Sequence, residues 1–300
     1  MLILLFASTI WGSAFVAQSM GMDHVGPFTF QAVRTALGAL TLVPVILIRD
    51  GIKKKKGEYT PPAPADRKRL LAAGLICGAA LFVASNLQQI GIKYSTVAKA
   101  GFITALYIIL VPLFGMVIGK KAGAHTFFCA LIAALGLYLI CINGSFSLSF
   151  GDLALLGCAA TYAVHILIID RFAPSVDNLK LSFLQMIIAA ALSAVMMLIF
   201  EDLSIPALLD AKWSLLYAGV LSSGVAFTLQ IVAQSMTKPA LSSLAMSLES
   251  VFSLISGMLI LRQIPTLREG IGCAVMFAAI ITAQLFEYYP PKFSRKKGKV

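Results

Sequence analysis

Long apolar runs, each about as long as a helix that crosses a bilayer, follow one another along almost the whole chain. A hydrocarbon core of about 30 Å takes roughly 20 helical residues. Runs of this length, separated by short charged or Pro/Gly-containing breaks, predict ten membrane-spanning helices. They lie near residues 2–20, 28–48, 70–92, 97–118, 125–143, 152–170, 180–200, 212–235, 240–261 and 267–286.

The composition excludes an ordinary soluble domain. Hydrophobic residues make up 59% of the 300 residues and charged residues only 12%, whereas soluble domains carry about 25% charged residues. We therefore predict an all-α integral membrane protein, multi-pass, with no room for a separate soluble domain. The five cysteines never occur as C-x-x-C, so we expect no metal site and no cofactor.

The basic residues are concentrated on alternate sides of the predicted membrane. The segment Arg49–Arg69 and the tail 287–300 carry most of them, and the net charge is +11. By the positive-inside rule, these segments and both termini lie in the cytoplasm. The charge therefore indicates topology and not a nucleic-acid partner. Lys53–Lys56 and the tail could also contact anionic lipid.

The second half of the sequence weakly repeats the first. A shift of 151 residues aligns Trp11 with Tyr162 and Arg34 with Gln185. Each half holds five predicted helices, and because five is odd, the halves must have opposite orientations. Two inverted repeats are typical of secondary transporters, whose substrate site lies at the repeat interface.

The repeat divides the chain into four parts. Residues 1–143 form a first five-helix repeat, and residues 152–286 form a second. Residues 144–151 are the linker between them, and residues 287–300 are a basic cytoplasmic tail.

Several segments resemble a known family. Trp11–Phe15, Arg34 and the stretch Thr96–Lys121 (TVAKAGFITALYIILVPLFGMVIGKK) are similar to the EamA-type transporters of the drug/metabolite transporter superfamily, and Ser242–Gly257 resembles the matching stretch of the second half. The resemblance implies an exporter of the bacterial cytoplasmic (inner) membrane. It also implies a central cavity lined mainly by predicted helices 1, 3, 4, 6, 8 and 9, with the second helix outside it.

The chain departs from the family pattern in two places. Ser250 follows Glu249 where the family often has a proline, and Arg262-Gln263 stands where a Gly-Glu pair often ends the ninth helix. A bend caused by that proline is therefore not expected here.

Glu249 lies near the middle of the apolar run 240–261. A carboxylate at that depth costs about 2.5–3.5 kcal/mol on insertion scales, so it indicates a functional or paired group. It could exchange the proton that drives transport, act as the counter-charge for a cationic substrate, or form an ion pair with Arg34 or Lys99. A repeat shift of 138 residues equates Glu249 with Val111.

Polar residues form a stripe at helical spacing in two of the predicted helices. They are Asn86, Gln89 and Lys93 in the third helix, and Gln230 and Gln234, with Phe227 on the same face, in the eighth. Spacings of three and four residues place each set on one helix face. In lipid such a face must meet protein or water. Asn86, Gln89 and Gln230 therefore either line the cavity or form hydrogen bonds between helices.

Three aromatic residues lie on predicted helices 1, 4 and 6, which the resemblance places around the cavity. Trp11, Tyr107 and Tyr162 could hold a planar or cationic substrate by stacking or cation–π contact, or could simply pack in the core. We take them as candidate cavity-lining residues.

Two further polar residues lie inside apolar helices. His165 could relay protons as part of the cavity, or could be satisfied by a neighbouring carbonyl group. Arg34 could bind a substrate carboxylate, but we expect a structural ion pair within the bundle.

These observations predict a secondary active transporter, an exporter of a small metabolite, amino acid or amphipathic drug, that works by alternating access and is driven by protons or by another gradient. The substrate site would lie between the repeats. The alternatives are an integral-membrane lipid-modifying enzyme and a membrane subunit that does not transport. Enzyme signatures are scarce, since the sequence Gly115–Lys121 has the wrong spacing for a phosphate-binding loop. We therefore expect no catalytic residues.

Overall fold

The computed structural model describes residues 2–95, 97–120, 124–141, 149–262 and 266–288. The helices are α1 (Leu2–Gly21), α2 (Pro27–Lys55), α3 (Pro64–Lys93), α4 (Val97–Ala105), α5 (Tyr107–Val117), α6 (Ala124–Cys141), α7 (Phe150–Phe172), α8 (Asn178–Phe200), α9 (Ile205–Asp210), α10 (Lys212–Leu216), α11 (Phe227–Gln234), α12 (Pro239–Met246), α13 (Glu249–Leu261) and α14 (Leu267–Tyr288). A 3₁₀ turn, Ala173–Ser175, follows α7, and a π-helical segment, Tyr217–Ala226, joins α10 to α11. Most of the predicted linker and the tail from residue 289 lie outside the described residues.

The helices confirm an all-helical integral membrane protein. Within the described ranges, eight segments are long and apolar enough to cross a bilayer. The other two predicted spans are α6 and α14, whose apolar stretches Phe127–Gly136 and Gly270–Ala279 are shorter. Large apolar side chains such as Leu47 (67% exposed) and Leu198 (74% exposed) cover the outside of the bundle, as expected for a surface that faces lipid.

The segment Arg49–Arg69, which separates the second and third predicted helices, is mostly helical. The helix α2 continues to Lys55 and α3 begins at Pro64, so that only residues 56–63 connect them. Proline suits the first turn of a helix because its missing N–H would have no partner there and its φ angle is already helical. Pro64 thus marks the start of α3.

Two of the predicted helices are broken inside the membrane. The fourth is interrupted at Leu106, and the ninth at Ser247 and Leu248. At both breaks the backbone tightens, because Leu106 N–H donates to the carbonyl of Ile103 and Leu248 N–H to that of Ala245, three residues back. The ninth helix is therefore interrupted without the family's proline.

The second break is supported by serine side chains. The hydroxyl group of Ser247 donates to the carbonyl oxygen of Leu244 at 2.7 Å, and that of Ser250 to the carbonyl oxygen of Ser247 at 2.7 Å. The Leu244 carbonyl receives no backbone N–H from Leu248, which donates to Ala245 instead, whereas the Ser247 carbonyl also accepts the N–H of Ser250. Serine side chains that bond to carbonyl groups one turn back are known to bend helices, so these two bonds support the broken geometry.

Helices of residues 2–141 pack directly against helices of residues 150–288. The helix α3 lies against α7 and α8, α2 lies against α8 and the π-helical segment, and α1 lies against α13. Gly12 makes the last contact possible, because a Cβ atom there would lie 2.7 Å from the carbonyl oxygen of Glu249. The interior of the bundle is therefore built from both parts of the sequence.

Both ends of the α2–α8 pair are joined by polar contacts. At one end the Glu201 carboxylate accepts hydrogen bonds from the N–H groups of Phe28 and Thr29, at 2.9 and 2.8 Å, and from the Thr29 hydroxyl at 2.6 Å. A carboxylate stabilises the start of a helix in this position. The end of α8 thus caps the start of α2, so the two helices are antiparallel.

At the opposite end, charged side chains join the end of α2 to the start of α8. The Arg49 guanidinium donates to both carboxylate oxygens of Asp177, at 2.8 and 2.6 Å, and the Lys180 ammonium lies 2.8 Å from the carboxylate of Asp50. Burial by itself raises the pKa of Asp177, but hydrogen bonds from Arg49 and the Lys180 backbone N–H outweigh it and hold that pKa below its usual value.

Candidate functional site

An internal cavity lies where the broken helices and the π-helical segment meet. About 30 Å³ of it can hold the centre of a water molecule, and all the empty space, including the part continuous with the outside, is about 430 Å³. Its wall is formed by Trp11, Phe15, Gln18, Arg34, Gln88, Thr104, Tyr107, Tyr162, Ile166, Ser222, Phe227, Gln230, Met246 and Glu249. The predicted helices 1, 3, 4, 6, 8 and 9 all contribute, and the second helix, expected to lie outside, contributes Arg34.

Glu249 and Tyr107 meet across this cavity. The Tyr107 hydroxyl donates a hydrogen bond of 3.0 Å to the Glu249 carboxylate, and only 5% of the glutamate is exposed. The ion pairs found among the described residues do not include Glu249. The predicted pair with Arg34 is thus not formed, because Arg34 bonds to other groups, and the side chain of Lys99 lies outside the description.

Glu249 and Tyr107 also hold matching positions in their helices. Tyr107 is the first residue of α5 and Glu249 the first residue of α13. A shift of 142 residues superposes these two starts. It differs from the predicted shift of 138, which equates Glu249 with Val111. Runs of similar apolar residues define a repeat register poorly, whereas helix breaks define it well.

Arg34 is a buried cation held by neutral groups. Its side chain is 2% exposed, and it donates to Gln18 Oε1 at 2.5 Å, Ser223 Oγ at 3.1 Å and Ser222 Oγ at 3.3 Å. The described ion pairs do not include it. The structure therefore differs from the predicted structural ion pair of Arg34.

The π-helical segment Tyr217–Ala226 brings both serines to Arg34. This segment can approach α2 closely because Gly38 of α2 has no side chain. A Cβ atom at position 38 would lie 2.7 Å from the Cβ atom of Ser223. The segment's carbonyl at Ser222 accepts a hydrogen bond from Trp11 Nε1 at 3.3 Å. π-Helical turns are rare and often lie at functional sites, since they free backbone groups from the regular ladder.

Other residues that were predicted to line the cavity also lie in its wall, and most of them are aromatic. The rings of Trp11 and Phe227 meet edge to face with centroids 5.1 Å apart, and Tyr162 lies in the same wall. The side-chain Nε2 of Gln230 donates to Gln234 Oε1 at 2.9 Å. The side-chain Oε1 of Gln230 has no hydrogen-bond partner among the described residues.

Asn86, Gln89 and His165 lie behind this wall. Asn86 donates to Ser193 Oγ at 2.8 Å, which joins α3 to α8, and His165 Nε2 lies 3.1 Å from Gln185 Oε1. Gln89 is fully buried. The polar face of α3 packs on neighbouring helices. The α3 residue that lines the cavity is Gln88, which lies about 100° around the helix from Gln89.

Sequence reasoning missed several wall residues for a common reason. Phe15, Thr104, Ile166, Ser222 and Met246 are ordinary residues of apolar helices, and nothing in their spacing separates them from core residues. Gln18 and Gln88 carry the only such signal, a polar amide within an apolar run. Across the ranges the structure describes, no cluster of three or more His, Cys, Asp or Glu residues could hold a metal ion.

The chain is similar to known transporters over most of its length. An uncharacterized transporter of Archaeoglobus fulgidus is 26% identical over 286 residues, which cover 94% of this chain and 84% of that protein. The uncharacterized transporter YoaV of Bacillus subtilis is 22% identical, and the match covers 93% of this chain and 94% of that protein. A solved crystal structure has the same fold, with a TM-score of 0.75 at 21% identity over 95% of this chain and 96% of that one.

The family comparison matches the two parts of the chain separately. The EamA-like transporter family matches residues 1–142 and residues 149–283. Together these ranges include the cavity wall, the helix breaks and the α2–α8 contacts. The chain is therefore a multi-pass membrane transporter and belongs to the EamA-like transporter family.

Proposed function

We propose that this protein is a secondary active transporter that exports a small molecule by alternating access, with its substrate site in the cavity around Glu249 and Tyr107. The observation that carries the proposal is the matched pair of helix breaks. Two breaks separated by one shift of 142 residues, whose first residues meet in the cavity, are what two inverted five-helix repeats would produce. The separate family matches to each part of the chain support the same arrangement.

Alternating access follows from such symmetry. If two similar halves pack in opposite orientations, each can adopt the conformation of the other, which opens the cavity to the opposite side of the membrane. The broken helices provide the flexible points, since backbone without a regular ladder can change its dihedral angles at low cost. The α2–α8 pair is joined at both ends and would move as one body.

Glu249 is the proposed coupling residue. It is buried in the cavity wall, and its one hydrogen-bond donor among the described residues is a phenol. A carboxyl group without a cationic partner can bind and release a proton as the cavity opens to each side. A substrate amine could compete for the same carboxylate, and that competition would couple export to proton entry.

The proposed orientation places both termini on the cytoplasmic side of the bacterial inner membrane. The basic end of α2 at Lys53–Lys55 and the charged contacts of Arg49 and Lys180 lie together at one end of the bundle. The positive-inside rule assigns that end to the cytoplasm. Substrate and proton are then the proposed partners, with anionic lipid at Lys53–Lys56.

Reconstitution tests this proposal. The purified protein in liposomes should move at least one compound from a panel of amino acids, nucleobases and amphipathic amines faster than protein-free liposomes do. An inward proton gradient should increase export. If no compound in the panel crosses faster than in protein-free vesicles, with or without a gradient, the transport proposal fails.

A further inference from the structure

We infer that Arg34 is the anchor for a carboxylate of the transported molecule, with Gln18 and Ser222 beside it. The inference rests on the proposed transport function and specifies the substrate class. It assigns Arg34 to the cavity as a substrate-binding residue, where the sequence alone favoured a structural ion pair.

The first argument is the missing counter-charge. A lone guanidinium taken out of water costs several kcal/mol unless an anion or enough hydrogen bonds compensate it. The protein supplies two carboxylates to Arg49, at Asp50 and Asp177. Among the described residues, the groups that bond to Arg34, which is far more deeply buried, are one amide and two hydroxyl groups. The described contacts of Arg34 therefore include no carboxylate, and the cavity is where one can enter.

The second argument is the set of donors that Arg34 keeps free. Nε donates to Ser223, one N–H of Nη1 donates to Gln18, and one N–H of Nη2 donates to Ser222. Each terminal nitrogen therefore retains one N–H. An arginine with an N–H available on each terminal nitrogen can donate two hydrogen bonds to one carboxylate.

The third argument concerns which anion fits. Glu249 lies in the wall of the same cavity, and a substrate with two or more negative charges would be repelled by it whenever it is ionised. A single carboxylate matches the single positive charge of Arg34. An amino group on the same molecule could then face Glu249 and the rings of Trp11 and Tyr162. Small carboxylates with an apolar side group fit the remaining wall, which includes Phe15, Ile166 and Met246.

The test uses Trp11 as a reporter of binding. The chain has two tryptophans, and Trp213 is 73% exposed and does not line the cavity. In a Trp213→Phe background, the remaining tryptophan fluorescence comes from the cavity wall. Apolar amino acids would be titrated beside their carboxamides and their decarboxylated amines. Each carboxylate should bind about 10-fold or more tightly than its carboxamide, the ratio expected when a charge-assisted hydrogen bond is lost.

Variants assign this preference to Arg34. Arg34→Gln should abolish the difference between carboxylate and carboxamide, and Arg34→Lys should retain part of it. Arg67→Gln is the matched control, since it removes the same charge from an exposed position at the start of α3, and it should leave the preference unchanged. If Arg34→Gln does not fold, the titrations of the unmodified cavity and of Arg34→Lys still test the inference.

Two results would overturn the inference. One is equal binding of carboxylates and carboxamides, or no binding of any carboxylate, by the protein with its native Arg34. The other is a carboxylate preference that persists in Arg34→Gln. Liposome flux without carboxylate preference would reject the anchor and leave transport intact. Carboxylate binding that depends on Arg34, without flux of any compound, would support the anchor and reject the transport proposal.

Discussion

Tyr107 and Glu249 are the first residues after two matching helix breaks, and they differ completely in chemistry. The phenol belongs to the first part of the chain and the carboxyl group to the second. The phenol donates a hydrogen bond of 3.0 Å to the carboxyl group. Arg34 and Gln185 differ in the same way. The arginine faces the cavity, whereas Gln185, aligned with it by the shift of 151, binds His165 behind the wall.

If the two parts are the proposed repeats, the difference shows how a repeated backbone can carry an asymmetric site. A helix break occurs in each part, and such breaks depend on backbone hydrogen bonds that many sequences can make. The ionisable groups do not recur. Each part contributes one charge to the cavity, the cation from α2 and the carboxyl group from α13, so neither part alone could bind a substrate with both charges.

The largest effect is expected from substitutions of the two residues that follow the helix breaks. Glu249→Gln should abolish flux driven by a pH gradient, about 100-fold or more, because an amide cannot exchange the coupling proton. Tyr107→Phe removes only a hydrogen bond to that carboxyl group and should slow flux by roughly 10-fold. Both variants should keep their thermal unfolding temperature within a few degrees. Unchanged gradient-driven flux in Glu249→Gln would remove the coupling role.

The next effect concerns the contact of α1 with α13. The shift of 151 aligns Gly12 with Ala163, which lies buried in α7. Gly12→Ala would make the two positions identical, but its Cβ would collide with Glu249 O and Phe252, at a cost of about 1–3 kcal/mol.

Thermal unfolding of Gly12→Ala in detergent would measure that loss. Gly51→Ala, at a helical position with no atom near the added methyl group, is the control and should be neutral or slightly stabilising. A Gly12→Ala protein as stable as the control would show that α1 can move away from α13 at little cost.

A smaller effect on stability should distinguish the two ends of the α2–α8 pair. Glu201→Gln weakens a helix cap made by a carboxylate, which should cost about 1 kcal/mol. Asp50→Asn, at the position aligned by the shift of 151, removes partly exposed ion pairs with Arg49 and Lys180 and should cost about 0–1 kcal/mol. Unfolding at low and high salt distinguishes them, since the ion pair is the more sensitive to screening. Equal salt dependence at both ends would contradict this assignment.

The smallest effect is a pH dependence at Asp177. Because contacts with Arg49 and the Lys180 backbone hold its pKa below the usual value, its carboxylate stabilises the folded protein above about pH 4, the pKa of an unfolded aspartate. That contribution is lost as the pH falls through the folded-state pKa. Asp177→Asn keeps a good helix cap and lacks the titration.

The stability difference between native protein and Asp177→Asn should therefore shrink as the pH is lowered from about 6 to about 3. Thermal unfolding across this range measures it. A difference that grew on acidification would show that the pKa of Asp177 is raised in the folded protein.

Much of the fold could be predicted because apolar length is a strong signal. Segments that must satisfy every backbone group inside lipid can only be helices, so runs of about 20 apolar residues indicated the spans directly. Inside those runs the signal is weak. The local sequence marks neither Leu106 nor Ser247 as a helix break, and it does not mark the segment around Ser222 as a π-helix. These segments contact helices that are distant in the sequence, and local patterns do not report such contacts.

The same limit applies to the site. Glu249, Trp11, Tyr107, Tyr162 and Gln230 were found because charged, aromatic and amide groups are unusual in apolar helices. Asn86 and Gln89 carried an equally clear signal, yet they lie behind the wall. A polar group inside a membrane must face either water or a partner, and which of the two it faces depends on the rotation of its helix.

The sequence by itself determined that this chain crosses the membrane many times and that it carries a carboxyl group and a guanidinium where lipid would exclude them. Hydrophobic length and the cost of burying charge are properties of single segments, so no knowledge of neighbours was needed. Only the tertiary structure decided that Glu249 meets Tyr107, and that Arg34 faces the cavity among neutral groups. Those outcomes depend on which faces of distant helices come together, and that is decided by packing across the whole bundle.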